Sequence, residues 1–319
     1  GAKMKLIVVD SGDSTEKAKN AAQRLLSQEP DLVGGTGAFV SSFTLAITEI
    51  TERAEVPWLT LSYSDQITAR GYKYVFQTSP VASKQSLDAL PALIEIAKMS
   101  GAARPKTIGI VMDNTASPMA FTKPMREGEF AKLGLKLVVD EVFTPPLADA
   151  TSMIQKVRNA RPDMLLMLTT NVPDTKLVIE KMNEMGMGRG RVPMLGNGGH
   201  MGAPELLQVV GKQQMEGVMA AMANWSGKGH EKLVADFKAK HKEPWMPQDS
   251  ISTYGDMWIF KEAMEKAASA DPKKVAAAIR AMNDAGGASK YFPGGKMAFD
   301  ANGRRVNADL VLVQWQDGE

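Results

Sequence analysis

The sequence predicts an α/β protein of two lobes, each a doubly wound, mostly parallel sheet. Three observations carry that expectation. Short apolar and β-branched runs alternate with helical stretches of roughly ten residues or more, joined by short polar loops, as in parallel strands with helical crossovers. The 319 residues allow two domains at about 150 residues each. The last third is almost wholly helical before two final strands, so the chain returns to a domain already begun and leaves a cleft between two lobes.

The elements follow in order. Met4–Val9 reads as a strand, and Ser14 caps an amphipathic helix to Gln28 on which Ala18, Ala21, Ala22 and Leu25 share a face. Asp31–Gly34 is a short strand leading into Gly34-Gly35-Thr36-Gly37, then Ser41-Ser42 opens a helix to about Ala54. Strands at Val56–Leu61 and Tyr72–Phe76 come next, followed by helix Ser83–Ser100, strand Thr107–Met112, helix Pro118–Leu133 and strand Leu135–Val142. Helix Asp149–Ala160 with strand Asp163–Leu168 repeats the unit, as do Asp174–Met185 with Val192–Gly196 and Pro204–Val210 with Glu216–Ala221. Helices at Glu231–Lys242, Ser250–Ala268 and Lys273–Met282 precede strands at Lys296–Phe299 and Asp309–Trp315.

Composition narrows the function. Thirty-eight Lys and Arg against 36 Asp and Glu leave a net charge of +2, with no electrostatic footprint for nucleic acid or an anionic membrane. Cysteine is absent, so disulfides, thiolate metal sites and a cysteine nucleophile are excluded. Three histidines, His200, His230 and His241, form no H-E-x-x-H motif and no pair at helical spacing; His230 and His241 lie in a Lys-rich helix that reads as a solvated face. The 21 methionines read mainly as core filler, with those near strand ends able to form an adaptable cleft wall. No run of about 18 apolar residues occurs to span a membrane. The ends alone fit a cytoplasmic protein or one whose leader has been removed.

Motifs for catalysis are weak and motifs for binding are better. Gly34-Gly35-Thr36-Gly37 satisfies neither phosphate-loop pattern, Gly186-Met187-Gly188-Arg189-Gly190 follows a helix as a C-cap would, and no G-x-S-x-G elbow exists. No base, nucleophile, metal set or cofactor loop gathers at the strand ends, so the expectation is a protein without catalytic residues, metal or cofactor. Ser41-Ser42 stands where a strand ends and a helix begins, so hydroxyls and free N–H groups face one space, which suits a carboxylate; a plain N-cap is the competing reading. Ser62-Tyr63-Ser64-Asp65 holds the matching place after the next strand. Tyr254 begins a helix of the returning segment and either closes over the cleft or packs in the core, with Tyr63 and Trp225 as further candidates for that role.

An ordered set of residues resembles a known family. It comprises Ser11-Gly12-Asp13, Ala21-Ala22-Gln23-Arg24-Leu25, Gly37-Ala38-Phe39-Val40-Ser41-Ser42, Val56-Pro57 and Ile67 through Pro80. Ile110-Val111-Met112-Asp113-Asn114, Arg161-Pro162-Asp163, Thr253-Tyr254-Gly255-Asp256 and Val311-Leu312-Val313-Gln314-Trp315 continue it. Over essentially the whole chain this resembles the branched-chain amino-acid (leucine-type) substrate-binding proteins of ABC transporters. The resemblance implies a type I periplasmic binding fold, with a three-strand hinge crossing near Pro80, Asn224 and Arg304. Residues 1–79 plus 224–303 would form lobe 1, and 80–223 plus 304–319 lobe 2. It implies an extracytoplasmic, periplasmic and monomeric receptor that hands a small-molecule ligand to a membrane permease; a ligand-sensing domain or an amide-binding receptor on the same fold is the alternative. Family members carry a strand and a long helix before the strand expected at Met4, so the resemblance also implies that the first strand and helix of lobe 1 are missing from this chain.

Carried over residue by residue, Ser41 matches the hydroxyl that holds the ligand carboxylate, with Ser42 beside it, and Ser62, Tyr63 and Ser64 match the loop around the ligand's head group. Ser117 and Asn171 fall where the family often has aromatic residues, and Asn197 and Gly198 where it has the acid for an α-ammonium group. Losing that acid costs an ammonium ligand a charge-assisted hydrogen bond of ~1.5–3 kcal/mol. The ligand expected is therefore an organic acid, aromatic or aliphatic, or an amide, with Asn197, Asn171 and His200 as neutral polar contacts, unless Asp65 or Asp256 replaces the acid and an amino acid still binds.

Overall fold

A computed structural model describes residues 3–319. Helix α1 (Thr15–Gln28) starts at the expected cap, with Ser14 Oγ accepting from Lys17 N. Strand β1 (Gly35–Thr36) leads into α2 (Ser41–Arg53), and β2 (Trp58–Thr60) and β3 (Val75–Gln77) complete a parallel sheet in the order β1-β2-β3. Successive residues of β2 face opposite sides: Trp58 packs with Ala18, Ala22 and Ile47, whereas Leu59 packs with Phe76, Ile259 and Phe260. The Gly34-Gly35 pair is steric in purpose. A Cβ on Gly34 would lie 2.2 Å from the Phe260 ring, and one on Gly35 2.2 Å from the Trp58 ring, so helices and strand close directly onto backbone.

The second sheet is larger. After α3 (Ala82–Met99) come β4 (Thr107–Asp113), α4 (Ala116–Pro124), a wide turn, α5 (Phe130–Lys132), β5 (Lys136–Phe143), α6 (Thr151–Ala160) and β6 (Met164–Leu168). Next are α7 (Val172–Glu184), β7 (Met194–Asn197), α8 (Pro204–Val210), α9 (Lys212–Met215) and β8 (Met219–Met222). The chain continues through α10 (Glu231–His241), α11 (Gln248–Ala267), α12 (Pro272–Arg280) and the pair β9 (Asn283–Asp284) with β10 (Met297–Ala298). Only then does β11 (Val311–Gln314) return, pairing antiparallel with β8. The six-stranded order is β11-β8-β7-β6-β4-β5. Leu165 and Met167 of β6 join one apolar cluster and Leu166 and Leu168 another, so both faces are covered, as a doubly wound sheet requires.

The sequence placed most elements, but the first two expected strands need correction, the helix expected over Pro118–Leu133 is interrupted at Met125–Glu129, and β9 was not expected. Met4–Val9 forms no ladder, and Met4, Leu6 and Val8 are 49, 70 and 84% exposed. β-propensity reflects packing against neighbours, and no described strand lies alongside this run to supply them. The strand expected at Asp31–Gly34 pairs slightly later, at Gly35–Thr36. Gly1 and Ala2 lie outside the described residues. Between the sheets, two passes of the chain meet: Gln77 N donates to Gly303 O at 2.8 Å and Arg305 N to Gln77 O at 2.9 Å.

Candidate binding cleft

The carboxyl ends of parallel strands from both sheets face one another. Behind β1 comes Ser41, behind β2 come Leu61 and Tyr63, behind β4 Ser117, behind β6 Thr170, and at the end of β7 Asn197 with Gly198 and His200 behind it; with Phe39 and Val40 these line a partly open cavity of about 20 Å³. That is room for roughly one water. Contacts across it join segments that follow the two sheets: Ala116 N donates to Ser42 Oγ at 3.3 Å, and the Phe39 and His200 rings meet edge to face at 5.7 Å.

The lining has no charged side chain, yet it is polarised. Helices α2, α4 and α7 all begin at the cavity, so three positive dipole ends converge there; of their first-turn N–H groups, Ala116 N is held by Ser42 Oγ and Asp174 N by the Asn171 cap. Ser41 Oγ accepts from both Tyr63 N and Ser64 N at 3.1 Å, which leaves its own proton without an acceptor among the described residues. At the opposite wall Gln85 Nε2 donates to Pro80 O, which turns Gln85 Oε1 toward Asn197. Asn197 spends its amide protons on Gln85 Oε1 at 2.7 Å and Ala221 O at 3.2 Å, so its carbonyl remains as an acceptor. One end of the cleft therefore offers donors and the other acceptors.

The acids stand back from the cavity. Asp113 accepts from Thr115 and from the Thr170 hydroxyl at 2.7 Å, and burial raises its pKa. Asp65 accepts from Ser83, and Asp256 takes the Thr36 hydroxyl at 2.5 Å, so neither supplies the missing acid at the lining. Burial raises the Asp256 pKa to about 7 and that of Asp249, which accepts from Gln248 Nε2, to about 6. Among the described residues no group of acids and histidines is placed to hold a metal ion.

Of the residues expected at the site, Ser41, Tyr63, Ser117, Asn197 and Gly198 come together at the lining, and His200 joins them. Ser42 accepts from Ala116 N instead. Ser62 is spent on structure, donating to Ala38 O at 2.6 Å and meeting Thr44 Oγ1 at 2.7 Å, while Ser64 accepts from Gln66 N. Asn171 caps α7 through Asp174 N and lies just behind Thr170. Tyr254 needs correction: it is 38% exposed, its ring set against Trp258 and Tyr291, because the opposite side of α11 carries Ser252, Asp256, Ile259 and Phe260 into the core. Phe39, Val40 and Leu61 were not foreseen. Their only signal was position, immediately before or after the hydroxyl-rich strand ends.

Comparison with known proteins agrees with this geometry. The curated Leu/Ile/Val-binding protein homolog 8 of Brucella abortus (strain 2308) is 25% identical over all of this chain and 80% of its own length. Among solved structures, a leucine-binding protein LivK from Thermotoga maritima MSB8 superposes with a TM-score of 0.82 at 23% identity, over all of this chain and 86% of that one. A solute-binding protein of an ABC transporter from Rhodopseudomonas palustris BisB5, solved with 3,4-dihydroxybenzoic acid, gives 0.79 at 19% identity, over 98% of this chain and 82% of that one. The periplasmic binding protein family model matches residues 1–319, and with two doubly wound lobes meeting at a polarised cleft, the chain belongs to the periplasmic binding protein family in its type I fold.

Proposed function

We propose that this protein is the extracytoplasmic, periplasmic solute-binding component of an ABC importer and that it closes on a small carboxylate-bearing ligand. Lobe 1 would comprise residues 1–79 with 224–303 and lobe 2 residues 80–223 with 304–319. They would move about the passes near Pro80, Asn224 and Arg304, and a monomeric receptor would deliver its load to a membrane permease. Closure favours the ligand-bound state only if the ligand touches both lobes, and the cavity walls come from both. The observation that carries the reading is the junction of three helix N-termini with the free Ser41 proton in a cavity that has no cation of its own. Such a site favours an anion over a neutral isostere.

Titration calorimetry with leucine, benzoate and their primary amides tests this. At least one acid should bind, its amide should bind at least about tenfold more weakly, and Ser41→Ala should lose a similar factor for the acid. An amide that binds as tightly as its acid would overturn the carboxylate reading.

A further inference from the structure

The hydrogen bonds behind His200 decide which of its nitrogens carries the proton. Thr175 Oγ1 lies 2.6 Å from Asn171 O, 2.6 Å from Thr169 Oγ1 and 3.1 Å from His200 Nε2. A backbone carbonyl only accepts, so the single Thr175 proton goes to Asn171 O. Thr175 Oγ1 must then accept from its other two neighbours, which puts a proton on His200 Nε2 and leaves Nδ1 as a bare acceptor. The ring is 6% exposed and Nδ1 has no partner. Nδ1 abuts Gly198, where a Cβ would lie only 2.9 Å away, and both residues line the cavity. Burial also lowers the imidazole pKa to about 4, which keeps the ring neutral. An unpaired buried acceptor costs about 1–3 kcal/mol, so a ligand that donates to it recovers stability the empty cleft lacks.

We propose that His200 Nδ1 is a specificity-determining acceptor that selects small acids bearing an uncharged hydrogen-bond donor opposite the carboxylate, such as a phenolic hydroxyl. The Asn197 carbonyl oxygen stands on the same wall as a second acceptor. The acceptors that line this wall are neutral, the Asp249 carboxyl lying behind Gly199 outside the lining, so an ammonium group would keep much of its desolvation cost, whereas a hydroxyl is matched by them in full. The inference rests on the carboxylate reading above and adds the chemistry of the ligand's far end.

Calorimetry on the full chain with benzoate, 3- and 4-hydroxybenzoate, 4-methoxybenzoate and leucine tests it. One hydroxybenzoate should bind at least about tenfold tighter than benzoate, and the methoxy compound, which cannot donate, should gain nothing. In His200→Phe that preference should fall to near unity. Should the variant not fold, the native protein still reports through the ¹⁵N resonance of Nδ1, which should move from a bare to a hydrogen-bonded position with hydroxybenzoate and not with benzoate. Equal binding of benzoate and hydroxybenzoate, a preference that survives His200→Phe, or leucine binding above every benzoate would overturn the proposal while leaving a carboxylate receptor. If no acid binds at all, the carboxylate reading itself falls and takes this inference with it.

Discussion

The two lobes solve the same folding problem with different interactions. The second carries six strands whose central members are apolar, with Leu165, Leu166, Met167 and Leu195 fully buried between two layers of helices. The first has three strands of two or three residues, and around its strand ends the interior is hydroxyl and amide: Thr44, Thr48, Thr60, Ser62, Thr68, Gln77, Thr78 and Ser79 are all buried. Those groups bond to one another. Gln77 Nε2 donates to Ser62 O at 2.7 Å, Ser79 Oγ to Ser62 O at 3.0 Å, Thr68 Oγ1 to Gln77 Oε1 at 2.9 Å, and Arg70 Nη2 to Thr48 Oγ1 at 2.5 Å. Apolar layers are non-directional and tolerate small shifts. A buried hydroxyl network has specific geometry, and it is what holds Ser41 and the Tyr63 and Ser64 N–H groups in place.

The sharpest way to break this contrast is a truncation in each lobe. Leu166→Ala, in the fully buried centre of β6, should lower stability by about 2–5 kcal/mol in chemical denaturation and leave ligand selectivity unchanged. Ser62→Ala removes little volume but strips partners from Ala38 O, Phe39 O and Thr44 Oγ1. It should cost about 1–3 kcal/mol and also weaken ligand binding, because Phe39 lines the cleft. If Ser62→Ala alters neither stability nor binding, the first lobe is not held by its hydroxyls.

The same contrast explains what could be read from sequence. The apolar run Met164-Leu165-Leu166-Met167-Leu168 identifies a central strand by itself, because burial on both faces leaves no polar position. In the first lobe the strands are too short for periodicity, and Met4–Val9 shows that β-branched residues record a propensity while a neighbouring strand makes the ladder. Ser41 was legible because a hydroxyl at a strand-to-helix junction has few other uses. Tyr254 misled because an aromatic at a helix start carries no information about which side of α11 meets the core. Phe39 and Leu61 were illegible as cleft residues, since an apolar side chain near a strand end is indistinguishable from core until the opposite lobe is in place.

Each lobe also buries a titratable group, and the two respond to pH in opposite directions. Asp256 in the first lobe faces Thr36, with Thr78 and Arg305 nearby; its pKa rises from 3.8 to about 7, so the folded state holds a proton the unfolded chain has lost, and stability falls as pH rises through that window. Asp249 acts in the same sense up to about 6. His200 in the second lobe faces Thr175 and Phe39; its pKa falls from 6.5 to about 4, so stability is lost as pH drops through that range. The opposed slopes partly offset in the native protein. Denaturation from pH 4 to 8 should show Asp256→Asn gaining on the native protein as pH rises. His200→Phe should gain on it as pH falls. Parallel curves for either pair would mean that the group is not buried as described.

The smallest expected effect tests whether polar bonding in the first lobe matters only when buried. Helix α10 runs beside that lobe with no buried residue, and its Lys232–Asp236 pair, at 2.6 Å, joins side chains that are 88 and 64% exposed. Water solvates both ions when they separate, and holding two long side chains together costs rotamer freedom. Lys232→Ala should therefore leave the denaturation midpoint almost unchanged, and raising the salt concentration should shrink any difference further. A loss comparable with Ser62→Ala would mean that exposed charge, rather than buried hydroxyls, carries the first lobe.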